Sequence, residues 1–405
     1  MTERTARQSV LRVATMQYGF LCVRATTLAL CALTLFAIVS TTIAQTPQAD
    51  AARYLDQLWR TSGVPSITVA VARQQQLVFS GAVGHADLDN MVPATASTVY
   101  NIGSISKVIA AVAVMQLIER GQVRLDDRIQ KYVRGFPEKG GAITIWHLMT
   151  HTSGIRHYRS FDFPYGLQGD NVGTYTTLDE AIGLFKDDSL LFKPGAYYSY
   201  SSYAVNLLQG VVETASGLRF EDYMRRHVWG PAGMLSTSFD LPERIVPHRA
   251  RGYKLIDGHA LNYYPNENVT YKFAGGGMLS TAEDLVRFGS ALLGDVLLGQ
   301  EFVDSMFTPQ LSSMLRFDAD SGAPSPLRWR QALMWRIRDD ENGRTYIHHC
   351  GTIKGFNACL ILYREEGLIA AVVENGGGAA TGLREARIFA DFFRERTRKP
   401  KDPPR

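Results

Sequence analysis

Between Val108 and Ile118 the chain carries no charged side chain and is apolar at nearly every position, which predicts a helix buried on almost all sides and ended by Gly121. Such a helix has no face to offer water, so the fold must pack around it. At its head stands Ser104-Ile105-Ser106-Lys107. Residues three apart share a helix face, so the Lys107 amine can reach the Ser104 hydroxyl and act as its general base. Bringing a lysine from about 10.4 toward about 7 to 8 takes roughly 4 kcal/mol, and the positive end of a helix supplies only about 0.3 to 1. Desolvation and neighbouring donors must do the rest. Taken alone, the four residues more readily describe an N-cap serine followed by a solvated first-turn lysine, since such a spacing recurs by chance in long chains, and other segments have to decide.

Those segments recur in a fixed order. Val64-Pro65-Ser66-Ile67-Thr68-Val69-Ala70-Val71 and Leu77-Val78-Phe79 read as two strands of a hairpin joined by polar Arg73 to Gln76. Next come Gly84-His85-Ala86-Asp87, Thr98 to Gly103 leading into Ser104, and Ile143 to Ile155 with His151-Thr152-Ser153-Gly154. Further on lie Phe192-Lys193-Pro194-Gly195 with Tyr200-Ser201-Ser202, then Ala274 to Asp284 with its three glycines, and finally His349-Cys350-Gly351-Thr352. Together they resemble the serine beta-lactamase and penicillin-binding-protein family over about residues 50 to 393. Within it, Pro194 to Leu208 and Tyr271 to Leu293 look closest to the mitochondrial beta-lactamase-like serine proteases and their bacterial relatives. Class C beta-lactamases and beta-lactamase-like carboxylesterases come next.

The resemblance implies roles for particular positions. Ser104 would be the nucleophile and Lys107 its base. Tyr200 matches the family's Tyr-x-Asn element and would be a second base, its phenol held partly ionised beside a lysine ammonium. Tyr197, Tyr198 and Tyr203 crowd the same stretch, and the Pro194-Gly195 anchor selects Tyr200. Ser202 stands where many relatives carry asparagine, so it keeps a hydroxyl and loses an amide. His349-Cys350-Gly351-Thr352 aligns with the family's Lys-Thr-Gly strand, which makes the N–H groups of Ser104 and Thr352 the oxyanion hole and places His349, Gly351 and Ser202 along the substrate. A permanent cation becomes a mostly neutral imidazole at His349, still able to donate a hydrogen bond to Tyr200 or to substrate. His348, its neighbour on the strand, is expected to face solvent. Ser153, Asp87 and Asp284 are expected to make turn and cap hydrogen bonds.

Composition sets the remaining bounds. With 45% hydrophobic and 20% charged residues, 405 residues suffice for a sizeable core. The formal charge of +4 is concentrated at the ends: residues 1–44 hold four arginines against one glutamate, and residues 394–405 hold six Lys or Arg against two acids. The body between them is slightly acidic and has no nucleic-acid footprint. The apolar run from Ala25 to Ala44, preceded by Arg4, Arg7, Arg12 and Arg24, reads as a secretory signal or an uncleaved membrane anchor, so the domain is expected to be periplasmic or secreted. Cys31 follows bulky Leu30, a poor lipidation signal. Cys22 and Cys31 lie in this leader; Cys350 and Cys359 lie on neighbouring strands, where a disulfide could form but free thiols are expected beside the cleft. The histidines lack ligand spacing, so no metal and no cofactor is implied.

The expected architecture is α/β (α+β): an antiparallel sheet flanked by N- and C-terminal helices with an inserted all-helical lobe at about residues 104–245, inside a domain spanning 45–393. Helices are predicted at 48–62, from Ser104, at Ile143–His151, from Leu178 behind a Thr177-x-x-Glu180 cap, at Val205–Glu213, at Phe220–Val228 and at about Thr381–Arg394. Strands are predicted around Ala250–Asn262 and from Leu333 to Glu374. The aromatic-rich segment Arg156–Thr176 reads as a long loop that either selects substrate or covers the surface. The expected function is a serine hydrolase acting through an acyl-enzyme on an ester or peptide substrate, with a beta-lactamase or D,D-carboxypeptidase, or a non-catalytic binding or filament-forming protein, as the alternatives.

Overall fold

The computed structural model describes residues 46–159, 162, 173–263, 267–311, 313–319, 321–377 and 382–395. The leader with Cys22 and Cys31, most of the basic tail, and Phe161, Phe163 and Tyr165 of the long loop lie outside the described residues. The chain divides into residues 1–50 and 51–405, and the central sheet and its helices belong to the second unit. Among the described residues no helix is long and apolar enough to cross a membrane.

Helix α1 (Pro47–Ser62) buries Ala51 and Leu55 and leads into the hairpin of β1 (Ser66–Arg73) and β2 (Gln76–Asp87), followed by the short β3 (Val92–Pro93). Five more strands return near the C-terminus: β4 (Arg330–Gln331), β5 (Arg336–Asp339), β6 (Thr345–Ile353), β7 (Phe356–Tyr363) and β8 (Leu368–Glu374). All eight form one antiparallel sheet in the order β4-β5-β6-β7-β8-β1-β2-β3. The early and late parts of the sequence thus meet at the β1–β8 pair.

Both faces of this sheet are covered. Ala70, Leu360, Leu362 and Ala371 join the core shared with the helices, while Val69, Val71, Ile361 and Val372 pack with Phe389 and Ala386 of the last helix, Leu383–Phe392. Successive residues of a strand point to opposite faces, so burial of both faces explains why β8 reads as an unbroken apolar run from Leu368 to Val373.

The helices between the two groups of strands are α2 (Ile105–Glu119), α3 (Ile145–Met149), α4 (Leu178–Gly183), α5 (Ser202–Ser216) and α6 (Phe220–Met224). Every residue of α2 from Ile105 to Leu117 is buried, as the uncharged run predicts, and Gly121 closes it at φ +69°. The predicted capping box at Thr177 and Glu180 is present on α4. The helix expected through Val228 instead ends as an α-helix at Met224 and widens into a π-turn over Arg225–Trp229.

Two further helices, α7 (Ala282–Leu293) and α8 (Gln300–Phe307), come after the glycine-rich segment. The Thr281 side chain caps the first by accepting from Asp284 N at 3.0 Å, and Asp284 in turn accepts from Ser236 N. Ser153 and Asp87 likewise serve turns, accepting from Ile155 N and Asn90 N.

Two expectations about β6 fail. Cys350 and Cys359 form a disulfide, because the β6–β7 register sets them directly opposite each other with Cα atoms 4.0 Å apart. His348 is buried, not solvent-facing: it does point away from the cleft, but that face lies against Tyr346 and the second core. Burial pushes its imidazole down to about 3, Arg336 and Arg338 adding to the effect.

Candidate active site

Ser104 occupies the N-cap position of α2, yet its side chain makes no cap hydrogen bond. Its Oγ lies 3.0 Å from Lys107 Nζ instead. Lys107 is fully buried and has two more partners: Ser202 Oγ at 2.8 Å and the Gly275 carbonyl. A neutral amine offers two N–H groups and one lone pair. The Gly275 oxygen can only accept; with Ser202 accepting the second N–H, the lone pair is left facing the Ser104 hydroxyl.

Burial pushes Lys107 well below the ordinary lysine value, and the cations of Lys272 and Arg336 push in the same direction. Lys272 is itself buried, but Glu267 at 2.7 Å outweighs the burial and holds it charged. One buried lysine is thereby kept as an ammonium while its neighbour is discharged. Glu267 also accepts from Tyr271 Oη, and the two charged side chains of the pair are 3% and 8% exposed. Glu267→Gln is therefore expected to leave an unpaired buried cation and to cost about 3 to 5 kcal/mol in a urea unfolding experiment. A loss below about 1 kcal/mol would show that water reaches Lys272.

Tyr200 enters from the loop before α5, and Ser104 is near enough to pull its phenol down a little. Its ring lies 4.8 Å from Lys107 Nζ and 5.4 Å from the Arg336 guanidinium. Burial pushes the phenol well above its ordinary value although Arg336 pulls it down. A partly ionised phenol, expected from the lysine's nearness, is thus not what the site holds, because burial favours the neutral phenol more than Arg336 favours its anion. Tyr200 is a protonated group placed to give a proton rather than to take one.

Three neutral imidazoles surround that ring. His151, His157 and His349 have ring centroids 4.6, 5.5 and 6.3 Å from Tyr200. Burial is the first cause of a lowered pKa in each, and His157 is pushed down to about 3. His157 Nδ1 accepts from Ser202 N at 3.0 Å. His349 Nδ1 lies 2.8 Å from the Cys350 carbonyl, which only accepts, so Nδ1 carries the proton and buried Nε2 is a bare acceptor. His349 therefore cannot donate to Tyr200 or to a substrate.

Gly351 lets β6 approach the nucleophile. A β-carbon there would meet Ile102 O and lie 2.6 Å from Ser104 N, while one on Gly103, at φ +49°, would lie 3.1 Å from Thr352 N. The backbones of Ser104 and Thr352 are thus held side by side. Ser202, placed by sequence along the substrate, has its hydroxyl on Lys107 and is 2% exposed.

The structure therefore brings Ser104, Lys107, Tyr200, Ser202, His349, Gly351 and Thr352 together. It adds Arg336, Lys272, Gly275, His151 and His157, which sequence reasoning does not single out. Gly275, His151 and Lys272 fall inside segments that carry the family pattern; Arg336 and His157 do not. Among the described residues no group of His, Cys, Asp and Glu could hold a metal ion.

A serine paired with a buried lysine, on a helix packed against an antiparallel sheet, defines a serine hydrolase of the beta-lactamase and penicillin-binding-protein fold. The chain belongs to the beta-lactamase family, whose profile matches residues 51–392. It is 27% identical over 433 residues to the human serine beta-lactamase-like protein LACTB, mitochondrial, covering 83% of this chain and 78% of that one. It is 27% identical over 329 residues to esterase EstB of Burkholderia gladioli, covering 74% and 82%. The crystal structure of a penicillin-binding protein from Bacillus halodurans superposes with a TM-score of 0.69 at 23% identity, covering 84% of this chain and 98% of that one, a likeness of fold.

Proposed function

We propose that this hydrolase works through a Ser104 acyl-enzyme on an ester or peptide bond, as an esterase or peptidase rather than an efficient beta-lactamase. The observation that carries the reading is the buried Lys107 amine 3.0 Å from Ser104 Oγ, pushed well below the ordinary lysine value by its burial. Lys107 takes the serine proton as Oγ attacks the carbonyl carbon. The N–H groups of Ser104 and Thr352 receive the oxyanion, each worth roughly 3 to 4 kcal/mol. Tyr200 protonates the leaving group, and water, losing its proton to the same pair, then releases the acid. The lean away from beta-lactams rests on Ser202 in place of an amide and on His349, whose neutral ring offers no charge to a substrate carboxylate. The leader reading, with an extracytoplasmic domain, is supported by the Cys350–Cys359 disulfide. Cell fractionation tests it, and an exclusively cytoplasmic, reduced protein would refute it.

Intact mass spectrometry with a fluorophosphonate and, separately, with a penicillin tests the chemistry. One fluorophosphonate adduct per chain, with a penicillin adduct that forms slowly and persists, is the expected result. Rapid penicillin turnover would establish the beta-lactamase alternative, and absence of any adduct would favour a binding or scaffold role.

A further inference from the structure

At the β4–β5 edge of the sheet, a cavity of about 690 Å³ is lined by Arg328, Arg330, Arg338 and Arg387, with Asp339 as the only carboxylate among its described lining residues. Asp339 pairs with Arg330 at 2.6 Å and accepts from Thr345 Oγ1 at 2.7 Å. Arg387 pairs with Glu341, which lies outside the lining. Arg328 and Arg338 have no carboxylate partner among the described residues. Nε of Arg338 and of Arg387 is buried without a hydrogen-bond partner.

A buried guanidinium N–H without an acceptor costs free energy that a bound oxyanion would recover. The side chains are held in place to receive one. Arg338 lies 5.8 Å from the Trp329 ring, and Arg387 lies 5.4 Å from Tyr346, also in the lining. Planar guanidinium forks pair bidentately with carboxylate or phosphate, which lysines do not. The volume matches a small-molecule site.

We propose that this cavity binds a compact oligoanion carrying two or more negative charges on phosphate or carboxylate groups. Two of its four guanidinium groups are already neutralised, so a dianion balances the remainder. The site lies beside the cleft but apart from the nucleophile. Arg336 and Arg338 are two apart on β5 and share its face; both pack on Trp329, and Arg336 continues to Tyr200.

Calorimetric titration of the full chain with pyrophosphate and with citrate, at low ionic strength, tests the proposal. One site is expected, weakened by salt and about tenfold weaker in Arg338→Gln, since a charge-assisted hydrogen bond to an anion is worth on that order. The anion bound more tightly names the group. If Arg338→Gln does not fold, as judged by its thermal transition, Arg328→Gln decides in its place. Fluorophosphonate labelling of Ser104 should be unchanged in either variant, which separates failure of this site from failure of the acyl-enzyme reading. No binding of either anion at millimolar concentration, or equal affinity in the deciding variant, overturns the proposal.

Discussion

Ser104→Ala is expected to reduce ester turnover by about 10⁴- to 10⁶-fold and to eliminate the fluorophosphonate adduct, while the protein still unfolds in one transition near the wild-type temperature. The size of the loss follows from Ser104 Oγ being the nucleophile, while the backbone N–H that serves the oxyanion hole remains. Its Oγ makes no helix cap, so α2 loses nothing when the hydroxyl goes. Lys107 keeps Ser202 and the Gly275 carbonyl as partners. Stability is therefore expected to change by less than about 1 kcal/mol, in either direction. Turnover within tenfold of wild type would sink the Ser104 mechanism whatever else the variant did.

Lys107→Met should lower kcat/KM by about 10² to 10⁴, the range of a positioned general base. Its effect on stability runs the other way. The folded-state pKa of Lys107 lies well below the unfolded value, so between the two the unfolded chain binds one more proton than the folded one. Stability contributed by this site is thus complete above the unfolded value and is lost as pH falls through the window, where the unfolded chain takes up a proton that the buried amine forgoes. Replacing the amine by a thioether removes that loss, so Lys107→Met should gain stability relative to wild type as pH is lowered. Wild-type kcat/KM should already be at its plateau well below the pH at which an ordinary lysine deprotonates, because the base form is the populated one. Two measurements check this: a pH profile of kcat/KM, and urea midpoints of both proteins across the same pH range. A rising limb centred near the ordinary lysine value would mean that burial does not discharge Lys107.

Ser104, Lys107, Tyr200 and Gly351 are legible in the sequence because each sits inside a short pattern whose spacing carries its own geometry. So is α2, whose uncharged run admits no other placement. Arg336 and the charge of Lys272 are not: Arg336 reaches the cleft through long-range packing with no local signal, and Lys272, though inside a family-like stretch, owes its charge to Glu267, which outweighs its burial. The cysteine pairing needs the β6–β7 register, which sequence supplies only to within a residue or two. His348 shows a different limit. Alternation along a strand correctly separates it from His349, but says nothing about whether the opposite face is wet. Here Tyr346 and its neighbours cover it. The motif selects Tyr200 from among its neighbouring tyrosines, whereas its protonation follows from burial, which no local pattern records.

The burial of α2 bears on how this protein assembles. The helix packs against α5 and Phe273–Gly276 on one side and touches β6 on another, so neither the helical region nor the sheet alone can shield it from water. A cut between them would leave each fragment with a long apolar surface exposed. The native packing of α2 therefore requires both halves, so a species in which either half has come apart is expected to lose the arrangement around Ser104. Loss of activity and loss of global structure should coincide along any denaturant titration.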